Sequence, residues 1–342
     1  MLSEETPPQR HEQEGTLARV VRWCRKLTYR FTGILSADLV CVMPLGGLWP
    51  WESIALRIQR KPVIVDYYVS LYDTLVNDRR TVAPGSFIAW FLMMNDRRLI
   101  LTATSLIFLN RSERDFYLKV AGVPQRSARI ELLPLSTSAK MRARLPFARR
   151  EHAVLTLCWW GTFIPLHGLE KILEAMSLLK RQAAPVRLFV FGTSAEASLP
   201  FEHLASEKDL LDLVSFDNTK RFVDGSLENF LARHCDVGFG TFGDSDKART
   251  VLVNKVVEAS AMGIPVVSQR TEAMREIFRE TIDCFYVEAT ADSLADCIMN
   301  LVRTPHRILE VGERAHGIYE RHFNDESFRQ RFGDLVTEAA GG

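Results

Sequence analysis

From Asp38 onward the apolar residues fall into short runs of strand length, set apart by stretches with helical spacing. Runs at Leu39–Met43, Val63–Val65, Leu106–Leu109 and Ile130–Leu133 predict four strands, with helices over Phe87–Ile100 and Glu113–Ala121 between them. The second half alternates more regularly. It predicts strands over Val154–Trp160, Val186–Phe191, Leu213–Phe216, Asp236–Gly240, Pro265–Ser268 and Cys284–Val287. Its predicted helices are Leu169–Arg181, Leu227–His234, Asn254–Met262, Glu272–Arg279, Ser293–Arg303 and Ser327–Ala339. Such alternation builds crossover units on a parallel sheet, so each half is expected to be an α/β domain. Between them Ser136–Arg150 carries Lys140, Arg142, Arg144, Arg149 and Arg150 without a periodic apolar face. The expected division is therefore a polar and helical lead of 1–37, a first domain of 38–137, a linker of 138–149, a second domain of 150–323 and a C-terminal helix within 324–342. Ligands of open parallel sheets sit beyond the carboxyl ends of the strands, which places the expected site in the cleft between the domains.

Composition narrows the function classes. The chain has 342 residues, with 43 Lys and Arg against 42 Asp and Glu, a formal net charge of +1. That balance excludes a general nucleic-acid binder, which needs a basic surplus. The apolar stretches Leu39–Trp51, Ser86–Met94 and Leu99–Leu109 fall short of the roughly 20 residues of a membrane span. Met1–Gly15 is too polar for a secretory signal. Cys24, Cys41, Cys158, Cys235, Cys284 and Cys297 form no C-x-x-C pair and read as buried free thiols in a reducing, cytoplasmic setting. Thr16–Phe31 predicts a helix with an apolar stripe and a face of Arg19, Arg22, Arg25, Lys26 and Arg30, which packs on the protein or meets an anionic membrane surface.

Two loop motifs carry little. Gly238-x-Gly240-x-x-Gly243 follows a strand, but no helix opens within it and no acid ends the next strand, so it does not read as a dinucleotide fingerprint. Asp244-x-Asp246 in a glycine-rich loop reads as turn chemistry rather than a metal site. The segment Gly240–Val267 says more. It combines a glycine-rich loop with Lys247, Arg249 and Lys255, then a helix that Asn254 is expected to cap and Gly263 to end. A helix N-terminus with cations at a strand's carboxyl end suits a phosphate. On spacing alone, Lys255 and Glu258 read as an i, i+3 surface ion pair.

Two blocks resemble the family-4 glycosyltransferases of GT-B fold: Gly161-Thr-Phe-Ile-Pro-Leu-His167-Gly168-Leu-Glu-Lys-Ile, and Lys247–Val267 with its Glu258-x4-Gly263-x-Pro265-Val-Val. Asp66-Tyr-Tyr-Val-Ser70-Leu-Tyr-Asp73 is similar to a first-domain strand and loop of one bacterial subgroup. The resemblance implies two Rossmann-type domains with a cleft between them and a C-terminal helix crossing back to the first. It further implies a retaining hexosyltransferase that moves a sugar from a nucleotide diphosphate sugar to a polysaccharide, lipid-linked or other glycan acceptor, with no metal and no further cofactor. Gly161, Thr162, Lys247, Arg249, Thr250, Asn254, Lys255 and Glu258 would form the donor site, with Glu258 on the ribose. Asp66, Asp73 and His167 would stand near the reacting sugar.

The chain departs from the family in several ways. Thr250 stands where the first Glu of the E-x7-E signature falls, and Thr162 and His167 stand where the family has Arg and Lys. Only 37 residues precede Asp38, so the first domain is expected to be short by about two βα units of ~30 residues each. These departures support an alternative, a catalytically inactive nucleotide-binding scaffold that pairs with an active transferase.

Overall fold

The computed structural model describes residues 28, 30–44, 46–123, 128–137, 139–149 and 154–341. Most of the predicted Thr16–Phe31 helix lies outside them, as does Cys24; Thr28 and Arg30–Ser36 are helical. The other five cysteines are free, with Cys158, Cys235 and Cys284 buried, Cys297 half-buried and Cys41 exposed against expectation.

Both domains are built on all-parallel sheets. The first holds β1 (Val40–Val42), β2 (Val63–Asp66), β3 (Ser105–Phe108) and β4 (Arg129–Leu132) in simple order 1-2-3-4. The second holds β5 (Leu155–Trp160), β6 (Val186–Phe191), β7 (Val214–Asp217), β8 (Val237–Phe239), β9 (Val266–Gln269) and β10 (Phe285–Val287) in the order 10-9-8-5-6-7. The expected α/β architecture of two Rossmann-type domains is thus present.

Strand β5 sits centrally between β6 and β8, and all six of its residues are buried. A strand covered on both faces needs such an unbroken apolar run. Helix Leu169–Arg181 covers it with Leu169, Ile172, Leu173, Met176 and Leu179, all buried at helical spacing. Each such side chain contributes ~1.5–3 kcal/mol when removed from water.

The basic segment before the second domain is not a free linker. Its backbone bonds to that domain through Ala143 N to Met262 O and Arg144 N to Ala232 O, both 2.8 Å, and Leu145 is buried. The C-terminal helix, Asp325–Gly341, returns to the first domain, where Leu335 packs with Ile64, Ile107 and Leu133.

Candidate active-site cleft

In the second sheet the chain leaves β5 toward β6 on one side, whereas β8 lies on the other. Loops that follow β5 and β8 therefore diverge at this switch point and open a crevice. A cavity of about 620 Å³ lies there, walled by the β5 loop (Gly161, Thr162, His167), by the start of helix Asn254–Met262 and, from the first domain, by Tyr68, Thr74 and Asp78.

Glycines hold the two loops against each other. Gly168 has φ +58°, and a Cβ there would meet the Phe242 backbone at 2.6 Å. A Cβ on Gly243 would come within 2.6 Å of the Pro165 and Leu166 carbonyls, and Gly243 N donates to Leu166 O at 3.1 Å. A Cβ on Gly240 would strike Ser268 at 2.4 Å. The glycine-rich motif thus serves close packing of loops.

Helix Asn254–Met262 has the expected bounds, but Asn254 does not cap it. Val253 occupies the cap position, no side chain caps the helix, and Asn254 is its exposed first residue. Its first N–H groups therefore remain available to a ligand. Gly263 ends the helix in the left-handed conformation, φ +72°, as expected.

Lys255 and Glu258 do not form a surface ion pair. Lys255 is 3% exposed, and its ammonium has no hydrogen-bond partner. The ammonium lies 4.3 Å from the Trp159 ring centroid. Burial holds it well below the usual lysine range, the Glu258 charge opposing that only in part. Glu258 instead accepts a hydrogen bond from Trp160 Nε1 at 2.7 Å; burial raises its carboxyl above the usual range, while that bond and Lys255 oppose the rise.

Gly161 lies between Lys255 and His167. Its φ is +142°, and a Cβ there would sit 3.5 Å from Lys255 Nζ and 3.6 Å from His167 Nε2. His167 is buried, its Nδ1 has no partner, and burial followed by the Lys255 charge keeps its pKa well below the usual value. Its ring stands edge-on to Trp159. Gly161, Lys255 and His167 thus converge on one wall, where the buried Lys255 ammonium is unsatisfied. Buried polar atoms are normally paired, so this wall is built for a ligand that accepts hydrogen bonds.

Other predicted residues fall elsewhere. Lys247 Nζ lines the cleft but reaches across it, donating to Thr74 Oγ1 at 2.9 Å and lying 3.8 Å from the buried Asp73 carboxylate. Asp73 also accepts from Asn77, and burial raises its carboxyl despite Asn77 and Lys247. Arg249 is exposed and pairs with Asp246 on its own short helix. Thr250 Oγ1 donates to Asp246 O at 3.0 Å, inside the same turn. Asp66 ends β2 two residues before the cleft-lining Tyr68 and is raised to about 6 by burial, opposed by the Tyr68 backbone bond.

Sequence reasoning missed Trp160, whose indole fixes Glu258, and Asp96, which accepts from Ser70 Oγ at 2.6 Å and Tyr72 N at 3.1 Å and so sets the cleft-side loop. A lone Asp inside the apolar helix Phe87–Thr102 was the available signal for the second.

Comparison with known proteins decides the architecture. The chain superimposes on sucrose-phosphate synthase of Thermosynechococcus elongatus with a TM-score of 0.70 at 17% identity, covering 97% of this chain and 81% of that one. Its fold is GT-B. Anabaena HepE in complex with UDP and glucose matches with a TM-score of 0.67 at 14% identity, over 96% of this chain and 84% of that one. A Rickettsia africae glycosyltransferase matches at 0.64 and 11% identity, over 97% and 84%. Residues 155–304 match the family model described as "Glycosyl transferases group 1". That span covers nearly all of the second GT-B domain. No curated protein matches the chain by sequence.

Proposed function

We propose that this GT-B protein is a retaining glycosyltransferase. It takes a nucleotide diphosphate sugar in the second domain and a polysaccharide, lipid-linked or other glycan acceptor against the first. The observation that carries this reading is the buried, unpartnered Lys255 ammonium beside Gly161 and His167. A diphosphate seated there accepts from Lys255, from His167 and from the open first turn of helix Asn254–Met262. As the glycosidic bond breaks, the departing diphosphate gains charge, and fixed donors stabilise that state more than the ground state. Lys255 thus supplies a cation without a metal ion. Glu258, one oxygen fixed by Trp160, offers the other to the ribose hydroxyls. The family match over residues 155–304 supports the assignment, and HepE is a neighbour seen with UDP and glucose.

A thermal-shift panel with UDP, GDP, ADP, CMP and TDP tests the donor site. A ligand at 100 times its Kd stabilises by about 2.7 kcal/mol, a rise of about 5 °C or more for a domain of this size. One diphosphate should give that rise, and Glu258→Ala and Lys255→Ala should each cut it to about half or less. No shift with any of the five overturns the assignment.

One observation favours the scaffold reading. The Thr250 hydroxyl commits its proton within its own turn, so it cannot donate to the donor sugar, and it carries no carboxylate charge. Nucleotide binding without donor turnover, restored by an added partner transferase, would select it.

A further inference from the structure

The first domain carries an apolar surface outside the cleft. Of the thirteen large apolar side chains exposed among the described residues, nine lie between Met43 and Phe91. They cluster around two mutually packed helices, Pro50–Ile58 and Phe87–Thr102. Trp49 stacks on Trp51 at 5.0 Å, and Phe87 on Trp90 at 5.7 Å. Phe87 is 77% exposed and Ile88 59%. Exposed apolar residues are ordinarily scattered, so their concentration on this one stretch of the first domain marks an interaction surface. Between the helices runs an open groove of about 290 Å³, lined by Ile54, Met94 and Leu101 with Arg57 and Arg97 beside them.

Charge selects the occupant. Residues 43–61 and 79–102 contain one acid each, Glu52 and Asp96, which are 1% and 2% exposed. Arg57, Arg60, Arg79, Arg80 and Arg97 are exposed. The whole chain is nearly neutral, so this cation surplus is local. We propose that this face docks on an anionic lipid bilayer. Tryptophans suit the headgroup level and Phe87 and Ile88 the acyl boundary, while the arginines meet anionic headgroups. A second copy of the chain would set like charges face to face. The chain's own segment 16–27, with Arg19, Arg22, Arg25, Lys26 and no acid, would do the same. Arg79 lines the cleft and leads through residues 80–86 to Phe87, so the docked face adjoins the cleft along the chain.

The proposal stands apart from the donor-site reading, which nucleotide binding tests separately. Its test is maleimide labelling of Ile88→Cys in the full chain, read by peptide mass spectrometry. Labelling should be fast in the free protein. Vesicles of phosphatidylglycerol and phosphatidylethanolamine should slow it tenfold or more, whereas phosphatidylcholine vesicles should not. Adding Arg57→Glu and Arg97→Glu should abolish the protection. Fast labelling under every condition overturns the proposal. So does slow labelling without vesicles, which assigns the face to the chain's own segment, or slowing that follows protein concentration, which assigns it to a second copy.

Discussion

Folding places the Lys255 ammonium on the face of Trp159 with no acceptor, at a cost that cation–π attraction offsets only in part. Lys255→Met should therefore raise the stability of the ligand-free protein, by about 1–3 kcal/mol, the scale of an unsatisfied buried polar group. Because burial lowers the Lys255 pKa on folding, its penalty is largest below the lowered value and shrinks as pH rises toward the unfolded lysine's. The melting-temperature advantage of the Met variant should narrow over the same rise in pH, which scanning calorimetry would show. The same shift predicts that diphosphate binding takes up a proton above the lowered pKa. Titration calorimetry in buffers of different ionisation enthalpy should find that uptake in the wild type and not in Lys255→Met. Spacing alone read Lys255 and Glu258 as a surface pair; family resemblance pointed to the donor site. Burial behind β5 is a tertiary fact, and so is the Trp160 contact that turns Glu258 away from Lys255.

Strongly patterned elements were legible to the residue. Leu169–Arg181, Val186–Phe191 and Asn254–Met262 have the bounds their periodicity predicts. Three helices of nine or more residues were not read. Pro50–Ile58 begins at a proline and leaves Trp51, Ile54 and Ile58 exposed, so no polar face marked it. Ala195–Glu207 holds Pro200 in its interior. His306–His322 contains Gly312 and Gly317, and a Cβ at Gly312 would lie 2.4 Å from Gly263 O, so close packing there outweighs helix propensity. The β5 loop depends on glycine in the same way. Gly168→Ala adds left-handed strain and a clash with Phe242, and should destabilise the second domain by about 3 kcal/mol in urea unfolding.

Across the whole molecule, both α/β domains and the cleft were legible, because strand and helix alternation is local. Contacts that join the domains were not, since they pair residues far apart in sequence. Glu276 of the second domain accepts from Arg111 N at 2.9 Å and Ser112 N at 2.7 Å, capping a first-domain helix. An exposed cap of this kind contributes about 1 kcal/mol. Glu276→Ala should shift the domains toward an open arrangement, seen as a larger radius of gyration in small-angle scattering without added nucleotide. The central claim, that Lys255 holds a diphosphate, is tested most directly by titration calorimetry. The nucleoside diphosphate selected by the thermal panel and its parent nucleoside are compared on wild type and Lys255→Met. A charge-assisted hydrogen bond of ~1.5–3 kcal/mol predicts a 10- to 100-fold loss of diphosphate affinity with nucleoside affinity unchanged. Equal losses for both ligands, or none for the diphosphate, would contradict the account.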